Sequence, residues 1–248
     1  MCILAIQYKA TRDAPVLVAS NREELYDRPT QAPRIQAGRP RVICGIDKKA
    51  GGTWLGVNQH ALFAAAANCP KASVLAEPRS RGLLCRELLH YETAARAADH
   101  AFKELSTDRY AGANYVCADA KTAWVVLGGD KVEKVELTPG LHLLSSSGLD
   151  DLNDERQEFV RRLLTLQRLD SAVAFLAVAS RTFSRKPDEL GRRGVVMSGP
   201  EFGTVSSTLL SLPKKAHNAV YHYASGSPAD HAYDDLSALL RQVLSTDK

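Results

Sequence analysis

Nowhere does the 248-residue chain hold a run near the roughly 20 apolar residues that a bilayer-crossing helix needs, so no transmembrane segment is expected. The opening Met-Cys-Ile-Leu-Ala-Ile-Gln-Tyr-Lys has no cationic lead-in and no extended apolar core, which speaks against a secretory signal. No Cys-x-x-Cys pair occurs. The five cysteines, Cys2, Cys44, Cys69, Cys85 and Cys117, are scattered and odd in number, a pattern that excludes a zinc ribbon and predicts reduced thiols in a cytoplasmic protein. The seven histidines form no paired ligand motif, so no metal ion is expected. There is no polybasic run either: 32 basic residues stand against 28 acidic ones, and no nucleic-acid partner is predicted. The densest basic stretches, residues 156–168 and 181–193, are interleaved with apolar or acidic residues and read as solvated faces. Phosphate-binding glycine loops, internal repeats and low-complexity tracts are all absent.

What is present is an ordinary globular composition, 45% hydrophobic and 24% charged, in a chain long enough for one sizeable core. A single domain over residues 1–248 is expected. Two near-continuous apolar runs, 2–6 and 15–20, read as a hairpin buried on both faces. Residues 28–40 hold three prolines and read as a surface loop. Further strands are predicted at 41–46, 53–58 and 61–67, with Gln59-His60 as a two-residue link. A helical pattern over 80–105 breaks near Tyr91. Strands return at 113–118, 122–127, 132–137 and 141–145, helices at 154–167 and 169–180, a strand pair at 206–211 and 218–224, and a closing helix at 230–244. Strand group, helix pair, strand group, helix pair suits an α+β fold, a four-layer αββα sandwich of two antiparallel sheets with helices outside.

Chemistry concentrates near the start. Excision of Met1 would leave Cys2 with a thiol and a free α-amine, whose ordinary pKa of about 7.7–8.0 lets it act as base for its own nucleophile. The stretch Asn21-Arg22-Glu23-Glu24 follows the second strand, and the hairpin returns it to Cys2. There Arg22 can favour the thiolate, Glu23 can orient the amine, and Asn21 can donate to a substrate oxygen. Asn68 ends an apolar strand and is a candidate oxyanion donor. The glycines around Trp54 in Gly51-Gly52-Thr53-Trp54-Leu55-Gly56 read as close-packing positions. His142 and His60, both at predicted strand ends, are the first candidates for an axial haem ligand.

In order along the chain, the Met-Cys-Ile opening, VLVASNREELYDRPT, GGTWLGVN, AAAAN, SRGLL, GANYVCAD, LTPGLHLLS and FGTVSST closely resemble the transport and Golgi organisation protein 2 family, named NRDE after its Asn-Arg-Asp-Glu signature. The resemblance runs from Cys2 to about Thr208. It implies an N-terminal-nucleophile hydrolase fold similar to that of cysteine amidases. Cys2 then matches the nucleophile, Asn21, Arg22 and Glu23 the polar cluster, and Asn68 an oxyanion amide. It also implies a role in moving haem, or in lipid and acyl-CoA metabolism.

Three positions depart from the family pattern. Glu23 replaces an aspartate, Ser146 replaces the asparagine of Leu-Ser-Asn, and Val205 replaces the arginine of Gly-Thr-Arg. These changes touch the amidase residues more than the fold. The expected function is therefore a haem-binding or haem-trafficking carrier for a small amphipathic ligand. The alternative is a cysteine-dependent amide or thioester hydrolase acting through Cys2.

Overall fold

A computed structural model describes residues 2–245. The chain opens with six strands: β1 (Ile3–Tyr8), β2 (Val16–Leu25), β3 (Thr30–Gln36), β4 (Val42–Asp47), β5 (Leu55–Asn58) and β6 (Phe63–Asn68). Helices α1 (Arg81–Leu88) and α2 (Ala94–Leu105) precede β7 (Ala113–Ala118), β8 (Ala123–Gly128), β9 (Val132–Glu136), β10 (Gly140–Ser145) and β11 (Gly148–Leu149). Then come α3 (Glu155–Thr165), α4 (Ala172–Phe183), β12 (Phe202–Leu212), β13 (Val220–Ala224), β14 (Asp234–Asp235) and α5 (Ser237–Leu244). Two seven-stranded sheets result, ordered β11-β10-β1-β2-β12-β13-β14 and β3-β4-β5-β6-β7-β8-β9. All the described pairings within both sheets are antiparallel. Two compact units emerge. One takes in the chain up to Asp27, Pro139–Ser145 and Leu149–Ala238; the other takes in Arg28–Thr138, Ser146–Gly148 and the chain from Leu239.

In the first unit, β1 and β2 form the expected hairpin, and both are buried along nearly their whole length. Such continuous burial explains why these segments read as unbroken apolar runs instead of alternating ones. Strand β2 is longer than the sequence suggests. Asn21, Arg22, Glu23 and Glu24 do not follow the strand but form part of it, paired on the far side with β12. The added strand pairing satisfies their backbone groups, which outweighs the low strand preference of Asn and Glu. On one face of this sheet, Ile3, Ala5, Leu17 and Ala19 pack with Val160 and Leu164 of α3 and with Phe175, Ala179 and Phe183 of α4. Both helices start on side-chain caps, Asp154 accepting from the N–H groups of Arg156 and Gln157, and Ser171 from that of Ala174.

The second unit buries α1 and α2 on its own sheet, with Leu84, Leu88, Ala97 and Ala101 against Cys44, Ala64, Tyr115 and Val126. Residues 30–36, expected as loop, form the strand β3. It is the edge strand, where Pro33 has no central ladder to break, and a register irregularity falls between Gln31 and Arg34. The turn after β5 is longer than two residues. Asn58 organises it, accepting from the N–H groups of His60 and Leu62 while donating to the carbonyls of Leu89 and Tyr91. The closing helix is shorter than expected and covers only Ser237–Leu244. Upstream, β14 pairs with β13, and Asp235 accepts from the N–H of Ser237, ending the helical path.

The glycines beside Trp54 act through close packing. A Cβ on Gly52 would stand 2.2 Å from the Gly82 carbonyl carbon, and one on Gly45 would stand 2.3 Å from the Trp54 ring. Since backbone cannot yield as a flexible side chain does, Gly52→Ala should destabilise the protein by roughly 1–3 kcal/mol in chemical denaturation. An unchanged midpoint would contradict this packing.

Candidate functional site

The β1–β2 register pairs Ile3 with Asn21, Leu4 with Ser20 and Ala5 with Ala19. One step further along the same diagonal, Cys2 falls opposite Arg22. Cross-strand partners share a face of the sheet. Cys2 is half-buried, Arg22 is 7% exposed, and the backbone N–H of Glu23 reaches the Cys2 sulfur. Burial raises the Cys2 thiol above its ordinary range and the Glu23 carboxylate adds to the rise, while that N–H and the Arg22 guanidinium act in the opposite direction. Continuing across β12 and β13, the same face holds Ser20, Ser206, Thr208 and Tyr223, all buried. Cys2 and Arg22 thus share a strip of hydroxyl groups, in which Arg22 Nη2 also donates to Glu24 Oε2 at 3.4 Å.

Asn21 and Glu23 turn to the other face, towards the helices. Asn21 is fully buried and its Nδ2 donates to the Phe183 carbonyl at 2.9 Å, so the amide expected to meet substrate is spent on α4. Glu23 is 2% exposed, and Arg156 Nη2 donates to its Oε1 at 2.5 Å. The Thr204 hydroxyl also hydrogen-bonds this carboxyl. Burial is the largest influence on Glu23 and pushes it up to about 7, with Arg156 and Thr204 pulling it down. The expected four-residue cluster is therefore split by strand alternation: Arg22 joins Cys2 on one face, and Glu23 acts on Cys2 through its backbone N–H and its charge.

Arg156 is the residue that sequence reading missed, having been counted with a solvated basic face. Its position offered one clue. A cation in the first turn of a helix runs against the helix dipole, a mild cost that a partner outside the helix can offset. Here Glu23 and the Val195 carbonyl do so. The Asp154 cap that starts this helix also accepts from Ser145 Oγ at 2.6 Å, and Gln157 Nε2 donates to the same hydroxyl at 2.9 Å. Ser145 is thereby tied to the helix that grips Glu23.

Asn68 stands in the second unit, exposed at the end of β6. His142 meets Asp150 at 2.7 Å. Against burial, which would raise it, hydrogen bonds from His142 and Arg161 hold that carboxyl below the usual carboxylate range. His60 lies exposed in the β5–β6 turn. Among the described residues, no group of three His, Cys, Asp or Glu side chains is arranged to hold a metal ion, and no helix is long and apolar enough to cross a membrane.

Comparison with solved structures shows the fold. The C2A mutant of the conjugated bile acid hydrolase from Clostridium perfringens matches with a TM-score of 0.53 at 11% identity, covering 96% of this chain and 93% of that one. The Caenorhabditis elegans ortholog of N-acylethanolamine-hydrolyzing acid amidase matches at 0.56 and 14% identity, covering 87% and 95%. The fold is the α+β fold of N-terminal-nucleophile hydrolases. By sequence, the chain belongs to the Transport and Golgi organisation 2 family, whose model matches residues 1–222. The bovine Transport and Golgi organization protein 2 homolog is 28% identical over 252 residues, with 88% of this chain and 90% of that protein covered. The human homolog is 29% identical over 164 residues, covering 60% of this chain and 58% of its own length. The mouse homolog is likewise covered over only 58% of its length.

Two stability measurements test the Glu23 arrangement. Glu23 binds its proton more tightly folded than unfolded, so its contribution is complete below about pH 4.5 and is lost as the pH climbs through about 7. Wild type should accordingly lose stability relative to Glu23→Gln between pH 5 and 8 in urea titrations; a pH-independent difference contradicts this. Arg156→Ala leaves a buried carboxylate without its cation and should cost roughly 3 kcal/mol at pH 8. At pH 5, where Glu23 is protonated, the loss should be clearly smaller.

Proposed function

We propose that the protein is a cysteine-dependent hydrolase of an amide or thioester, with Cys2 as nucleophile once Met1 is removed. The observation carrying this reading is the register that sets Cys2 across from Arg22, with the Glu23 N–H on its sulfur. The α-amine of Cys2 would take the thiol proton as the sulfur attacks the substrate carbonyl, giving a tetrahedral oxyanion. Collapse then expels the amine or thiol, which leaves with that proton, and water releases the acyl group from sulfur in a second step. Arg22 shares the face of Cys2 and would stabilise developing negative charge, in a setting where burial strengthens such interactions. Glu23 would orient the amine. Asn68 carries its oxyanion role only by the family resemblance. The scattered free thiols fit action in the reducing cytosol.

A second reading is a carrier that holds haem or another amphipathic ligand on the same face. It is favoured by burial and Glu23 holding the Cys2 thiol neutral, where a nucleophile benefits from easy ionisation. The two readings separate cleanly. Intact mass should show loss of Met1, and the processed protein should turn over octanoyl thioesters or p-nitroanilides, with Cys2→Ala inactive. A retained Met1, or full activity in Cys2→Ala, removes the hydrolase. A saturable Soret shift on hemin titration that survives Cys2→Ala, with no turnover, favours the carrier.

A further inference from the structure

The first unit holds a cavity of about 690 Å³ that none of the foregoing chemistry uses. Small-molecule sites typically fall between roughly 300 and 1,000 Å³, so the space is of ligand size. Its place follows from an irregularity in β12. Thr204 pairs with Glu23 and Ser206 with Arg22, leaving Val205 as an extra residue between them. Such a bulge re-aims a side chain out of the regular alternation, and Val205 lines the cavity.

Apolar groups supply much of the wall. Pro187, Val196 and Met197 stand with Val205, and Tyr26 crosses Gly203 so closely that its hydroxyl would lie 2.2 Å from a Cβ there. The charged groups are already answered. Lys186 and Asp230 pair with each other at 2.6 Å. His231 places Nδ1 3.3 Å from the Ser227 carbonyl. The threonine is committed as well, since Thr204 Oγ1 accepts from the Met197 N–H and bonds Glu23. Two exposed hydroxyls, those of Ser198 and Ser225, have no hydrogen-bond partner within the protein among the described residues. The lining thus offers apolar surface and hydroxyl groups but no uncompensated charge. The charged end of a ligand would find no unpaired counter-ion in this lining, whereas an amide or hydroxyl end finds hydroxyl partners.

We propose that this cavity binds a neutral amphiphile, its aliphatic chain against Val196, Met197 and Val205 and its carbonyl or hydroxyl end against Ser198 and Ser225. Val205 is the determinant of that choice. Arginine at this point would bring an unanswered cation to the same wall and select an anion instead. The site stands independently of hydrolysis at Cys2, so it can be tested in the Cys2→Ala protein.

The probe is decanamide, compared with decanoate and decyltrimethylammonium as charged relatives of the same chain length, by isothermal titration of the full-length chain. Decanamide should bind saturably at one site and about tenfold or more tightly than either ion. Val205→Trp, which fills the space, should weaken decanamide about tenfold or more. Val205→Arg should reverse the preference towards decanoate. A decanamide analogue with a terminal diazirine, photolysed on wild-type protein, should label peptides from residues 186–205 or 225–231, whatever the folding yield of the variants. Absence of decanamide binding, equal binding of decanoate, or labelling confined to other peptides overturns the proposal.

Discussion

A carboxylate buried inside the first sheet sets the conditions for its surroundings. Glu23 is buried on β2 and pairs with Thr204 of β12, where an ionised carboxyl without partners would be costly. Arg156 and Thr204 share that charge, and the arrangement needs α3 to begin at one particular residue. The Asp154 cap fixes that start, and Ser145 on the neighbouring strand fixes Asp154. Helix position, strand end and buried charge therefore support one another. Removing any one of them leaves a polar group in the core without an answer, the situation in which single substitutions become severe.

The same strand organises the opposite face. Alternation along β2 sends Arg22 to the side of Cys2 while Glu23 goes to the helices, so two adjacent residues serve different layers. Cys2 receives a cation across the strand pair and a backbone N–H from the next residue. Burial and the Glu23 charge oppose these influences. A thiol in that balance is held ready without being ionised. That state suits a nucleophile whose base arrives with it, and equally a ligand face that must remain unreactive.

Much of the fold was legible because the strongest signals are local. Apolar runs and the glycines packed near Trp54 each have a short-range cause. What escaped notice depends on distant pairing. Pro33 reads as a strand breaker unless β3 is known to be an edge. The NREE stretch reads as a strand end unless β12 is known to lie beside it, more than 180 residues later. For the candidate site, Cys2, Arg22 and Glu23 stand out by type and order, but the face each takes is set by pleat register. Arg156 looked like surface charge because its partner lies 133 residues away.

Mass-resolved alkylation of Cys2 with iodoacetamide across pH 6 to 10, on the full-length protein, measures the central claim directly. Only the thiolate reacts, so the pH dependence reports how the buried setting, Glu23 and Arg22 act on that one sulfur. The account predicts slow labelling at neutral pH and a midpoint above that of an ordinary cysteine, moving down in Glu23→Gln as the opposing charge is removed. A Cys2 that labels fully at pH 7, or a midpoint indifferent to Glu23, would contradict it.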